Sequence, residues 1–134
     1  MVESKVSIDD FNLLSVIGKG SYGKVMLVRK KDTQEMLAIK MLKKDYIERR
    51  NQVLHTKTER SVLERVNHPF IVKMKYAFRN SKKLYFVLEF CPGGELFYHL
   101  SRVGRFDEPR AKFYASCIVL AIEHLHSLNI VYRE

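Results

Sequence analysis

The chain has 134 residues, with 24 Lys and Arg against 15 Asp and Glu, a net charge of +9, and 46% hydrophobic residues. That length suits one domain, and the apolar content excludes an intrinsically disordered polymer. Heptads, internal repeats and low-complexity runs are absent from the sequence, and the basic residues are scattered (Lys30-Lys31, Lys43-Lys44, Arg49-Arg50, Lys82-Lys83) instead of forming a patch interleaved with aromatics, which argues against a nucleic-acid partner.

Residues 1–10 read as a polar lead-in. Phe11 to Ile17 (FNLLSVI) and Lys24 to Lys30 (KVMLVRK) read as strands, being apolar and rich in β-branched residues. Between them Ile17-Gly18-Lys19-Gly20-Ser21-Tyr22-Gly23-Lys24-Val25 spells G-x-G-x-x-G-x-V. Glycines at that density let a backbone turn sharply and come close to a ligand, and its free N–H groups can cradle a phosphate.

Three phosphate-binding architectures write a similar pattern. A dinucleotide-binding loop opens a helix and meets an acidic residue about 20 positions on. Here a strand follows, and Lys40 occupies that neighbourhood. In a P-loop the next position is Ser or Thr, to hold Mg²⁺, and Val25 replaces it. A strand–loop–strand flap over a nucleotide fits, and a plain hairpin with a glycine-rich turn stays open from this stretch alone.

Glu35 to Leu42 (EMLAIKML) reads as a third strand with Lys40 inside it. A lysine among apolar residues is costly unless it snorkels or is paired. Lys43 to Val66 reads as one helix, with an apolar stripe from Val53, Leu54, Val62, Leu63 and Val66. Glu59 stands four residues after His55, so the two share a helix face. Asn67-His68-Pro69 ends the helix, since a residue before proline leaves the helical region.

Phe70 to Phe78 and Leu84 to Phe90 read as the fourth and fifth strands. Cys91-Pro92-Gly93-Gly94 marks a boundary, and Glu95 to Arg102 a short helix. Asp107 is placed to cap a final helix reaching about Ser127, with Pro109 in its first turn. From Phe113 to Ile122 that helix is apolar all round apart from Ser116, so it is expected to be buried on every side by partners outside these residues. It is too short to span a membrane, and no transmembrane segment is expected. Cys91 and Cys117 lack metal-ligand or redox spacing and the opening Met-Val-Glu-Ser is not a secretory leader, so an intracellular, cytoplasmic setting is expected.

Together these features resemble the AGC group of serine/threonine protein kinases, near the protein kinase B and glucocorticoid-regulated branches, from Ser7 to Arg133. The resemblance is carried by Gly18, Gly20, Gly23 and Val25, by Ala38-Ile39-Lys40, and by His55-Thr56-Lys57-Thr58-Glu59. It continues through His68-Pro69-Phe70, Glu95 after Gly93-Gly94, and Val131-Tyr132-Arg133 at the catalytic-loop entry.

It implies an α+β, protein-kinase-like fold. Residues 11–90 would be the small lobe, a five-stranded antiparallel sheet with a regulatory helix; 91–94 the hinge; and 95–134 the first, incomplete part of the helical large lobe. It implies ATP as phosphoryl donor and Mg²⁺, whose ligands would lie beyond residue 134, and no metal site within these residues. Lys40 and Glu59 would be catalytic, and Glu134 stands where the family has its Asp base. Ile17, Gly18, Lys19, Gly20, Ser21, Tyr22, Gly23, Lys24, Val25, Ala38, Lys40, Leu88, Glu89, Cys91 and Glu95 would contact ATP. His55 and Arg133 would be regulatory. Implied partners are protein substrates with basic residues near the target Ser or Thr, and an upstream activating kinase. These residues alone are expected to be inactive, and a non-catalytic nucleotide-binding or scaffold module is the alternative.

Overall fold

A computed structural model describes residues 5–133. The elements in chain order are a 3₁₀ turn at Ile8–Asp10, β1 (Phe11–Gly20), β2 (Gly23–Lys30), β3 (Met36–Lys43), α1 (Lys44–Arg49), α2 (Val53–Arg65), β4 (Met74–Arg79), β5 (Lys83–Glu89), α3 (Leu96–Val103) and α4 (Glu108–Ser127). The expected protein-kinase-like sheet is present: five antiparallel strands in the order β1-β2-β3-β5-β4.

The described residues fall into two compact units. One holds the chain up to Arg65 together with Lys73–Phe90, and the other holds Val66–Val72 with the chain from Cys91 on.

In the first unit the sheet has two working faces, because side chains alternate along each strand. One face collects Phe11, Met26, Val28, Leu37, Ile39, Met41, Tyr85 and Val87, with Val28, Leu37, Ile39 and Val87 fully buried. Each such aliphatic residue contributes about 1.5–3 kcal/mol of burial. Phe11, Phe78 and Tyr85 stack across this face with ring centroids 6.1 and 4.8 Å apart. The other face packs Leu42 and Phe86 against Ile47 of α1, with Met74, Ala77, Leu84 and Leu88 around them. On this second face Val25 pairs with Lys40, and Ala38 pairs with Leu88.

Three readings of the elements are corrected. The helix expected after β3 is two helices. Asn51 takes φ 54°, a left-handed conformation that Asn tolerates, and Gln52 N–H bonds back to the Ile47 carbonyl at 2.8 Å. Leu54 of the expected apolar stripe is 73% exposed, while Thr56 is the one buried residue of α2. The fourth strand starts at Met74, not Phe70, because Ile71 N–H donates to the His68 carbonyl (3.1 Å) and turns the chain before it can pair.

Lys30 is 7% exposed at the end of β2. Its ammonium donates to Asp32 Oδ2 at 2.5 Å and lies 5.5 Å from the centroid of the Tyr76 ring. The bond to Asp32 holds Lys30 above its usual 10.5, and the Lys30 bond holds Asp32 below its usual 3.8.

In the second unit Asp107 accepts from Arg110 N–H (3.0 Å) and caps α4 as expected. His68 lies with its ring 5.1 Å from that of His124 on α4, which ties Val66–Val72 to this unit. The described residues leave α4 uncovered, in keeping with an apolar helix whose partners lie outside them: none of its residues is buried, and Phe113, Ile118, Val119 and Leu120 are 64, 50, 61 and 46% exposed. Among the described residues no helix is long and apolar enough to cross a membrane.

Candidate functional site

The flap is built by β1 and β2, which pair up to Gly20↔Gly23 and leave Ser21-Tyr22 as the tip. Register shifts at Leu13/Ser15 and Val16/Gly18 break the ladder on the β1 side and twist the edge strand. The three glycines meet different surroundings. A Cβ on Gly18 would stand 3.4 Å from Val25 Cβ, and one on Gly20 would stand 2.7 Å from the ring of Tyr22. Gly23 has φ +153°, and a Cβ there would overlap the Met41 carbonyl oxygen of β3. Gly23 therefore lets the flap's return strand seat on the β3 backbone, and Gly20 leaves room for Tyr22 to fold inward.

Beneath the tip, Lys40 Nζ donates to Glu59 Oε1 at 2.6 Å, and the two side chains are 23 and 40% exposed. The same ammonium lies 5.6 Å from the centroid of the Tyr22 ring. The lysine inside an apolar strand is thus partnered twice, by a carboxylate from α2 and by an aromatic face from the flap. The tip is tied as well. Lys43 N–H donates to the Tyr22 carbonyl (3.0 Å), and Ser21 Oγ shares a hydrogen bond with the Tyr46 hydroxyl of α1 (2.8 Å). A cavity of about 260 Å³ lies among these groups, bounded by Tyr22, Lys40, Tyr46, Gln52, His55 and Glu59.

Val25, Ala38 and Leu88 lie on the Lys40 face of the sheet, next to one another through the β2–β3 and β3–β5 registers. Ile17 is 46% exposed on β1, and Lys19 and Lys24 face each other across the flap. Glu89 ends β5, where its N–H donates to the Lys73 carbonyl (3.0 Å) and its Oε2 accepts from Lys73 N–H (3.2 Å). His55 is exposed near the start of α2, its Nδ1 2.8 Å from Gln52 Oε1. Cys91 and Glu95 are exposed residues of the second unit, Glu95 at the N-cap of α3, and Arg133 is exposed near the chain's end. Glu134 lies outside the described residues. Sequence reasoning misses Tyr46: within Lys-Lys-Asp-Tyr-Ile-Glu-Arg-Arg its only signal is to be the one aromatic in a charged stretch.

A glycine flap over a lysine that a helix carboxylate holds is an arrangement suited to the phosphates of a nucleotide. Residues 11–134 match the protein kinase domain family. The chain belongs to that family.

Its relatives bear out the likeness to AGC-group serine/threonine kinases. It is 57% identical over 129 residues to serine/threonine-protein kinase YPK1 of Saccharomyces cerevisiae, covering 96% of this chain and 19% of that protein. It is 58% identical over 126 residues to protein kinase 2 of Dictyostelium discoideum, covering 94% of this chain and 26% of the relative. With serine/threonine-protein kinase akt-1 of Caenorhabditis elegans it shares 51% identity over 130 residues, which is 97% of this chain and 24% of that one. The chain therefore spans about a fifth to a quarter of the length of these relatives.

Proposed function

We propose that this chain supplies the ATP-holding part of a serine/threonine protein kinase that transfers the γ-phosphoryl group to Ser or Thr of basic protein substrates. The Lys40–Glu59 ion pair beneath the flap carries this reading. Phosphoryl transfer needs positioning and charge compensation more than covalent participation by the protein, and these residues supply both. The backbone of Gly18–Gly23 would lie against the phosphates, with glycine at positions 18 and 20 keeping its approach free of Cβ atoms. Lys40 would compensate the α- and β-phosphates, and Glu59 would hold its ammonium in place against the apolar face around it.

Val25 and Ala38, with Ile17 from β1, would cover the adenine. Leu88 would limit the depth of its pocket, and backbone groups of Glu89 and Cys91 would bond its edge. Glu95 would bind the ribose and draw basic substrates. His55 and Arg133 would answer to a phosphate placed on the protein by an upstream kinase. A cytoplasmic setting belongs with this reading. The family implies Mg²⁺ as well; among the described residues no group of three or more His, Cys, Asp or Glu side chains could hold a metal ion, and its ligands are expected beyond residue 134.

The test pairs two measurements on the intact protein: equilibrium binding of ATP, and transfer of labelled phosphoryl to a Ser-containing basic peptide. The expected result is that both occur in the full-length protein that carries these residues and that Lys40→Ala abolishes transfer there, whereas residues 1–134 alone give no transfer. ATP binding without transfer would favour the non-catalytic module, and absence of ATP binding would overturn both.

A further inference from the structure

We infer that Tyr46 is a positioning residue that latches the tip of the flap to the helix pair carrying Glu59, so that flap and helix hold one another in register. This inference rests on the reading of the flap as a nucleotide lid. The observation behind it is a closed circuit of interactions around the 260 Å³ cavity.

The circuit starts at the tip, where Ser21 Oγ and the Tyr46 hydroxyl share a hydrogen bond of 2.8 Å. Tyr46 sits on α1, where its ring is covered by the Arg50 guanidinium at 5.8 Å from the centroid. The end of α1 is fastened to the start of α2 through Gln52: its N–H donates to the Ile47 carbonyl (2.8 Å), and its own carbonyl accepts from Thr56 N–H (2.9 Å) and Thr56 Oγ1 (2.9 Å). One turn beyond Thr56 on α2, Glu59 holds Lys40 at 2.6 Å. Lys40 in turn faces the ring of Tyr22, the neighbour of Ser21. Of the links between elements, Ser21–Tyr46 joins the tip to α1, Tyr22–Lys40 joins the tip to β3, and Lys40–Glu59 joins β3 to α2. Among the described residues, the Ser21–Tyr46 bond is the one side-chain hydrogen bond between the flap tip and the helices.

The bond joins residues 25 positions apart, across a flap whose tip is otherwise exposed. Its loss releases the tip from the helices, leaving it held to β3 by the Lys43 N–H bond to the Tyr22 carbonyl, and removes no group that the reading places against the nucleotide's phosphates apart from the Ser21 hydroxyl. A flap that must be ordered when nucleotide binds weakens binding by the share of time it is out of place. One hydrogen bond of ordinary strength sets that share, so its removal should weaken ATP binding by about three- to tenfold.

The experiment is a double-mutant cycle on the full chain with two readouts, the dissociation constant for ATP and backbone hydrogen exchange at residues 20–23. Tyr46→Phe keeps the ring and its place beside Arg50 and removes only the hydroxyl; Ser21→Ala removes the other partner from an exposed site and leaves the fold intact. Each is expected to weaken ATP binding about three- to tenfold and to speed exchange at the tip by a similar factor, and the double variant is expected to be no worse than either alone. Ser21→Thr, which keeps the hydroxyl, is expected to leave exchange at the tip at the rate of the unaltered protein. Additive effects, or a Tyr46→Phe protein identical to the parent in both readouts, would overturn the latch. If the parent binds no ATP while Tyr46→Phe still speeds exchange at the tip, the nucleotide reading fails and the latch stands.

Discussion

Replacing each flap glycine with alanine separates three jobs that the motif writes with one letter. At Gly23 the change meets backbone on both counts. Its φ of +153° is one that an L side chain adopts at a cost of about 1–3 kcal/mol, and the new Cβ would overlap the Met41 carbonyl oxygen, which no side-chain rotation can move aside. Relief requires the Gly23↔Leu42 end of the β2–β3 ladder to open, at roughly a further 1 kcal/mol for a broken hydrogen bond. The sum is about 2–4 kcal/mol, a large part of the roughly 5–15 kcal/mol that holds a domain of ordinary size. At Gly20 the Cβ would meet the Tyr22 ring at 2.7 Å. That ring can swing out and away from the Lys40 ammonium, so the stability cost is about 1 kcal/mol or less. At Gly18 the nearest atoms are Val25 side-chain carbons at 3.4 and 3.5 Å, close to ordinary van der Waals distance, and alanine's lower unfolded-state entropy offsets the crowding, leaving a change within about 0.5 kcal/mol. Urea unfolding of the three variants, analysed with a common slope, orders them directly. A Gly23→Ala protein no less stable than Gly18→Ala would refute the seating of the flap on β3.

Glu59→Gln should lower stability by less than about 1 kcal/mol, because both partners of the Lys40 pair stay open to water, yet weaken ATP binding by roughly tenfold or more; parallel unfolding and ATP titrations check the contrast. Asp32→Asn should destabilise the sheet at neutral pH. Asp32, held below 3.8, adds stability that is present above that value and lost as pH falls through its lowered folded value; Lys30, held above 10.5, adds stability present below that value and lost as pH rises through its raised one. The gap between parent and variant in urea unfolding should therefore be flat between about pH 5 and 9 and shrink near pH 3. The exposed apolar residues of α4 should make the 134-residue chain self-associate, and Phe113→Glu with Val119→Lys should shift its light-scattering mass toward the monomer.

What the sequence reveals and what it withholds divide along the distance over which each feature is decided. The flap is legible because its strands, its glycines and Val25 are contiguous, and strand periodicity excludes the helix that a dinucleotide site needs. Lys40 is legible because a charge in an apolar strand demands a partner, and a helix carboxylate 19 positions on supplies one at 2.6 Å. The break between α1 and α2 is not legible. Arg50-Asn51-Gln52 carries no proline or glycine, and the chain stops being helical there only because Asn51 takes a left-handed conformation and Gln52 bonds back to Ile47. Lys30 shows the same limit from the other side. Beside Lys31 it reads as one of a pair of solvated charges, yet the structure buries it against Tyr76, a residue far along the chain, and neutralises it with Asp32. Strand alternation puts it on the inner face, so one lysine of the doublet had to be either partnered or expelled. The sequence pattern poses that choice; only the arrival of β4, carrying Tyr76 at the far edge of the sheet, decides it. Tyr46 follows the same logic. Its hydroxyl gains a function only when the hairpin tip, 25 residues earlier, folds back to within 2.8 Å of it, so the latch belongs to the tertiary fold and to no motif.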